Sequence, residues 1–416
     1  MTEEVEVMPE ALEIEETGHT TVIDSGLQDL LDDSDLFMNM EIATGDTYRA
    51  FIKQFGASLI DKALIERFEK VTGHKAHKFL RRGLFFSHRD LEKILDAYEA
   101  KETIYLYTGR GPSSDSLHIG HTIPFIFTKW LQDALNAVLV IQITDDEKFL
   151  RDTDLSLADT HHFAMENIKD IIACGFNVEK TFIFIDTEYI QYLYPRTCQV
   201  NRYLSANLVK KCFGFEDDSS NIGYLAFPGT QMAPCFPDTF PHIFGGLDQS
   251  KIRCFIPMGC EQDVYFRLVR DISEKLGCIK PAVIHSKFIP SLTGGAKMSA
   301  SSKNQSVYLT DTPKEIAKKI KKHAFSGGRE TLAEHRKYGA DLSVDVSIKY
   351  LEVFLEDDAQ LEDIKEKYGS GDMTTGEVKA ILIEVLQKLV ADHQERRKDI
   401  TDEVVREFTK IRPLAL

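Results

Sequence analysis

The sequence predicts an α/β protein, a Rossmann-type doubly wound parallel sheet followed by an all-helical C-terminal domain. Three observations carry that prediction. Through the centre of the chain, short apolar runs alternate with longer amphipathic ones, the pattern of parallel strands joined by crossover helices. A strand-like run, Thr103 to Tyr107, feeds a Gly/Ser turn at 109–114 and then His118-Ile119-Gly120-His121, a place where backbone N–H groups can face a phosphate. From Val344 almost to the end, the pattern is helical.

In chain order, residues 1–48 form an acidic head that reads as mostly disordered, because clustered like charge opposes collapse. Leu27, Leu30 and Leu31 are spaced for one short amphipathic turn. From about Thr47 the periodicity is helical, with Ile60, Ala63, Leu64, Phe68 and Val71 at 3.6-like spacing. Residues 49–102 are therefore read as a helical segment packed on the domain that follows. Strands are expected at Ile104–Tyr107, Val138–Ile143, Phe182–Ile185, Cys254–Ile256 and Ala282–Ile284, and helices at Phe125–Leu135, Leu157–Cys174 and Gln262–Leu276. Together they place the α/β domain at 103–330. Pro124 is awkward inside a helix, so the helix start is placed near His118–Gly120. Residues 187–250 are less regular and rich in aromatics, Pro and Gly, and they read as an insertion between the halves of the sheet. Thr312-Pro313-Lys314-Glu315 combines an N-cap, an N1 proline and an N3 glutamate. Helices at Val346–Leu355, Leu361–Lys367 and Val378–Phe408 then define an all-helical domain at about 331–416.

Composition sets bounds. A chain of 416 residues with 43% hydrophobic content can bury more than one core. No apolar stretch approaches the roughly 20 residues that span a bilayer. The N-terminus has neither a signal core nor an Arg-rich transit character, so the cytosol is the expected location. Seven cysteines without a CxxC pair point to reduced thiols, and no protein-bound metal is expected. The net charge of −16 is uneven: residues 1–48 hold 14 Asp and Glu and no Lys or Arg, leaving 50 basic against 52 acidic groups elsewhere. A nucleic-acid partner needs only a local basic surface, and candidates are Lys318, Lys319, Lys321, Lys322, Arg396, Arg397 and Lys398.

The chemistry-bearing residues fall in two strings. His118 and His121, at i and i+3, share one face of a helical turn, and Gly120 between them leaves that face open to a flat base. Downstream, Lys297-Met298-Ser299-Ala300-Ser301 sets one lysine in a Gly/Ser/Ala-rich loop, where its charge can reach a polyphosphate. Either string alone is compatible with chance. In this order they resemble the paired signatures of class I aminoacyl-tRNA synthetases. Longer strings narrow the resemblance to the eukaryotic cytosolic tryptophanyl-tRNA synthetases: 105–114, Gln142-Ile143-Thr144-Asp145-Asp146-Glu147-Lys148, Phe79-Leu80-Arg81-Arg82-Gly83, Phe86-Ser87-His88-Arg89-Asp90 and 323–329. It runs from about Phe51 to the C-terminus.

The resemblance implies a ligase that activates L-tryptophan with ATP, Mg²⁺ being carried on the nucleotide, and transfers it to tRNA(Trp). It also implies a homodimer formed through 187–250, and an anticodon-reading role for 331–416. The implied ATP site comprises Gly109, Gly111, Ser113, His118, Gly120, His121, Lys148, Lys297, Met298, Ser299 and Ser301. Its catalytic groups are His118, His121, Lys297 and Ser299. Many synthetases of this class carry a second lysine where this chain has Ala300, and Lys148 is the candidate to supply that charge. Tyr107 and Gln142 match the positions that recognise the indole N–H, which needs a polar acceptor amid aromatic surroundings. Glu147, Gln231 and Gln262 match those for the substrate ammonium group. The rival readings are a tyrosyl-tRNA synthetase, a small-molecule nucleotidyltransferase that shares the HxGH string, and a non-catalytic binding module.

Overall fold

The computed structural model describes residues 45–213, 220–294, 298 and 305–416. The expectations for the head before residue 45, and for Lys297, Ser299 and Ser301, lie outside the described residues. At the centre is a seven-stranded sheet: β1 (Ser58–Leu59), β2 (Phe85–Arg89), β3 (Thr103–Arg110), β4 (Val138–Ile143), β5 (Thr181–Ile185), β6 (Ile252–Gly259) and β7 (Ala282–Ser286). The spatial order is β1-β2-β7-β6-β3-β4-β5. Strands β3 to β7 run parallel, joined by helical crossovers, while β1 and β2 add an antiparallel edge.

That edge corrects the reading of 49–102 as helical. Strand β2, Phe85-Phe86-Ser87-His88-Arg89, is buried along nearly its whole length, so it lacks the in-and-out alternation that reveals a half-exposed strand. Phe85 stacks on Phe127 of helix Ile119–Leu135 with ring centroids 3.7 Å apart, and this seats the edge on the main core. The described residues begin inside the acidic head. Helix Gly45–Phe55 includes Tyr48, a buried ring whose hydroxyl accepts from the Phe288 N–H at 3.0 Å. Residues 45–48 of the head are therefore helical.

The pleat assigns the two faces of the sheet. On β3, Ile104 and Leu106 join a core with helices Ile119–Leu135 and Leu157–Ile172 and with the C-terminal helices. Tyr105 and Tyr107 face the opposite way, into a second core with Val138, Val140, Phe182, Phe184 and helices of the 187–250 segment. Gln142 continues the Val138–Val140 parity, and Asp186 that of Phe182 and Phe184. Three polar side chains, two from strands and Asp186 from the residue after β5, are thereby directed to one face.

Helix Ile119–Leu135 starts where expected, with His118 at its N-cap and Pro124 in its second turn. The proline removes the i→i−4 bond to the Gly120 carbonyl. Helix Pro313–His323 opens on Thr312 with both arms of a capping box to Glu315. The long C-terminal helix expected at Val378–Phe408 is instead two helices, Thr375–Lys398 and Asp402–Thr409. Thr401 breaks it by capping the second, accepting from the Val404 N–H at 3.4 Å, a local bond that competes with helix continuation.

The C-terminal helices are not a detached module. The Arg397 guanidinium bonds Asp170 at 2.6 Å and Glu166 at 2.7 Å, and Arg396 donates to the Ala173 carbonyl. Beyond residue 409 the chain returns to the sheet, where Ala415 N–H bonds the Glu179 carbonyl and Leu414 is buried in the second core.

Candidate active site

A cavity of about 470 Å³ opens beyond the carboxyl ends of β3, β4 and β6, where ligands bind in sheets of this type. Its lining brings together Tyr107, Gly109, Gly111, His118, Gly120, His121, Gln142, Glu147, Lys148, Gln231, Gln262 and Met298. Residues spread over nearly 200 positions of sequence therefore border one space. Ser113 is the exception: it is exposed on the turn and does not border the cavity.

One end of the cavity is built on glycines and imidazoles. The His118 and His121 rings stack with centroids 3.4 Å apart, and the His118 N–H approaches His121 Nδ1 at 3.4 Å. This turn is held from outside by an antiparallel pairing. Ile119 N–H bonds the Val307 carbonyl and Leu309 N–H bonds the Leu117 carbonyl, both at 2.9 Å. The chain that leaves the lysine loop thus clamps the histidine turn. A Cβ on Gly111 would meet Lys148 Cε at 2.7 Å, so the lysine passes directly over the turn glycine. The Lys148 ammonium lies 2.8 Å from Glu147 Oε2, which leaves the cavity wall close to neutral at that point.

The other end is aromatic with a polar centre. Tyr107 is buried, and its hydroxyl donates to Gln142 Oε1 at 2.5 Å and to the Gln231 carbonyl at 2.8 Å. Burial raises the Tyr107 pKa well above the usual phenol range, so it stays a neutral O–H donor. Gln142 Nε2 donates to both carboxyl oxygens of Asp186 at 2.9 and 3.0 Å. Gln231 Nε2 donates to Gln262 Oε1 at 3.2 Å, which joins two of the three expected ammonium ligands. Phe227, Phe266 and Met258 also line the cavity, and the Phe266 ring lies edge-on to Tyr107 with centroids 6.0 Å apart.

Sequence reasoning missed three groups. Arg110 lines the cavity at the end of β3, donating to Asn167 Oδ1 at 3.0 Å. Burial lowers its pKa to about 10, which leaves it cationic at neutral pH. Its place between Gly109 and Gly111 in the phosphate-facing turn was the available signal. Lys287 lines the same space from the end of β7. Asp186, behind Gln142, was signalled only by its strand parity. The basic candidates change too. Arg396 and Arg397 hold the C-terminal helices, and Lys319 is paired with Asp311. Lys318, Lys321 and Lys322 remain exposed.

Among the described residues no cluster of His, Cys, Asp and Glu is arranged to hold a metal ion, and no helix is long and apolar enough to cross a membrane. Residues 99–391 match the family model of class I tRNA synthetases (W and Y). The chain is 54% identical to human cytoplasmic tryptophan–tRNA ligase over 377 residues, covering 90% of this chain and 79% of that one. It is 53% identical to the enzyme of the same name from Dictyostelium discoideum, covering 90% and 94%. A tryptophanyl-tRNA synthetase structure from Giardia lamblia superposes with a TM-score of 0.83 at 49% identity, covering 88% of this chain and 98% of that chain.

Proposed function

The chain belongs to the class I tRNA synthetases of the tryptophan and tyrosine branch, and from that membership we propose how its cleft performs tryptophan–tRNA ligation. The reaction begins with attack of the tryptophan carboxylate on the α-phosphorus of ATP. A carboxyl O–P bond forms, the bond to pyrophosphate breaks, and its electron pair leaves with pyrophosphate. The nucleophile is already ionised at neutral pH, so no general base is required. Acceleration comes from alignment and from stabilising charge on the phosphates. A terminal ribose hydroxyl of the tRNA then attacks the tryptophanyl carbonyl; an ester C–O bond forms, the acyl–phosphate bond breaks, and AMP leaves with its electron pair while the hydroxyl proton passes to the released phosphate.

In this reading His118 and His121 donate to phosphate oxygens, Gly111 lets Lys148 lie against the turn, and Gly120, whose face is covered by Met298 and not open to a base as expected, seats that methionine beside the histidines. Lys297 neutralises the leaving pyrophosphate, Ser299 and Ser301 add neutral donors, and Lys148 supplies a second cation. Mg²⁺ arrives as part of the nucleotide substrate. Glu147, Gln231 and Gln262 take the substrate ammonium, a cation suited to a carboxylate and amide oxygens. The observation that carries the tryptophan assignment is the pairing of Tyr107 with Gln142. It puts two hydrogen-bond acceptors inside an aromatic pocket of the cleft that also holds the histidine turn.

The helical region from about residue 331 reads the anticodon, with Lys318, Lys321 and Lys322 adding positive charge. Two copies associate through the 187–250 segment, where Tyr194, Tyr203, Ile222 and Leu247 are exposed. The enzyme works in the cytoplasm, as its relatives' names say of them. ATP–pyrophosphate exchange with each of the twenty amino acids tests the assignment. Tryptophan is expected to be the preferred substrate, and a preference for tyrosine would overturn it.

A further inference from the structure

Behind the indole-facing pair lies a buried acid that the reaction itself does not use. Asp186 opens helix Asp186–Asn201 directly after β5, and its side chain is fully buried. Both of its carboxyl oxygens face Gln142 Nε2, at 2.9 and 3.0 Å. Its other neighbour is Asp146, whose charge acts on it. Burial, and then the charge of the partner, raises Asp186, and burial raises Asp146. Asp145 next door is engaged separately, accepting from the Thr187 N–H and hydroxyl.

The hydrogen bonds of this group all run one way. The single Tyr107 hydroxyl hydrogen is directed at Gln142 Oε1 and the Gln231 carbonyl, both acceptors. The Gln142 amide hydrogens are directed at Asp186, with the Thr230 carbonyl at 3.4 Å. With every donor turned inward, Tyr107 Oη and Gln142 Oε1 offer only lone pairs to a ligand. An amide is nearly symmetric in shape, and without a fixed acceptor behind it Gln142 could turn and present its NH₂ to the pocket.

We propose that Asp186 is the positioning residue that sets the hydrogen-bond polarity of the side-chain pocket, locking Gln142 so that the pocket accepts an N–H and disfavours rings without one. It acts through Gln142 and touches no substrate. The inference rests on the reading of Tyr107 and Gln142 as the indole-recognising pair.

The test is ATP–pyrophosphate exchange by the full-length enzyme with L-tryptophan and with β-(benzothiophen-3-yl)alanine, which keeps the bicyclic shape but has sulfur in place of N–H. Asp186→Leu is expected to lower kcat/KM for tryptophan about tenfold or more, chiefly through KM, while the analogue changes by less than about threefold. Asp186→Asn is the rescue. Its oxygen accepts from Gln142 as the carboxyl did, so the preference for tryptophan returns to within about threefold of wild type. If Asp186→Leu does not fold, Asp186→Ser, which withdraws the carboxyl from Gln142, carries the same expectation. Equal losses for both substrates, or an Asn variant as indiscriminate as the Leu variant, would overturn the proposal. Gln142→Ala separates it from the reading beneath. If Gln142→Ala narrows the preference and Asp186→Leu does not, only the role of Asp186 falls. If Gln142→Ala leaves the preference unchanged, the indole site itself is misassigned.

Discussion

The methyl group of Met298 lies 2.8 Å from the position a Cβ on Gly120 would occupy. The glycine of the histidine turn and the methionine of the lysine loop are therefore shaped to each other, although they lie 178 positions apart. Met298 itself is buried and lines the cavity.

Gly120→Ala tests that fit. The added methyl must displace the end of Met298 and press on the His118 ring, whose atoms lie 3.1 Å from the same position. Pyrophosphate exchange should fall about tenfold, with little change in thermal midpoint because alanine favours a helix. Adding Met298→Ala should restore part of the loss. Simple additivity of the two variants would show that the residues do not act through each other.

Lys297→Ala should reduce tryptophan activation by two or more orders of magnitude in a protein that still folds. Loss of one charge-stabilising donor costs about 3–4 kcal/mol of barrier. Wild-type exchange rates in the folded variant would remove Lys297 from the mechanism.

For Arg397, the geometry favours a structural role over a phosphate contact. Its guanidinium pairs with Asp170, whose carboxylate is almost wholly buried and also faces His393 at 3.2 Å. Arg397→Ala leaves that carboxylate short of a partner and should cost about 1–3 kcal/mol in urea unfolding. The salt dependence of tRNA binding should keep its slope. A slope reduced by about one, with stability intact, would instead mark a phosphate ligand.

Acid stability should carry the signature of His77. This imidazole caps helix Lys78–Arg81, its Nδ1 accepting from the Phe79 N–H at 3.1 Å. Burial, reinforced by the Lys78 charge, lowers its pKa from 6.5 to about 4. The unfolded chain takes up this proton near pH 6.5 and the folded chain only near pH 4. Stability therefore falls as pH drops through that window, and the full loss is reached below it. His77→Asn keeps a capping oxygen without the titration, so its stability relative to wild type should rise between pH 6.5 and 4. Parallel pH profiles for the two proteins would contradict the assignment.

Much of this molecule is written locally in its sequence. The five parallel strands, the histidine turn at a helix start and the Thr312–Glu315 capping box depend on periodicity, glycine placement and side chains a few residues apart. Those are properties a linear chain displays. Tertiary structure alone decided the rest, because it turned on which faces meet. Strand β2 is buried on both sides and shows no alternation until its neighbours are known. Arg397 reads as a free cation until helix Thr375–Lys398 docks on Asp170. Thr401 interrupts an otherwise continuous helical pattern with a single side-chain bond. Asp186 is one more acidic residue after an apolar run, until the register of β3, β4 and β5 sets it behind Gln142 and Tyr107. Pleat parity is in the sequence, but which strands lie side by side is a long-range choice made by packing.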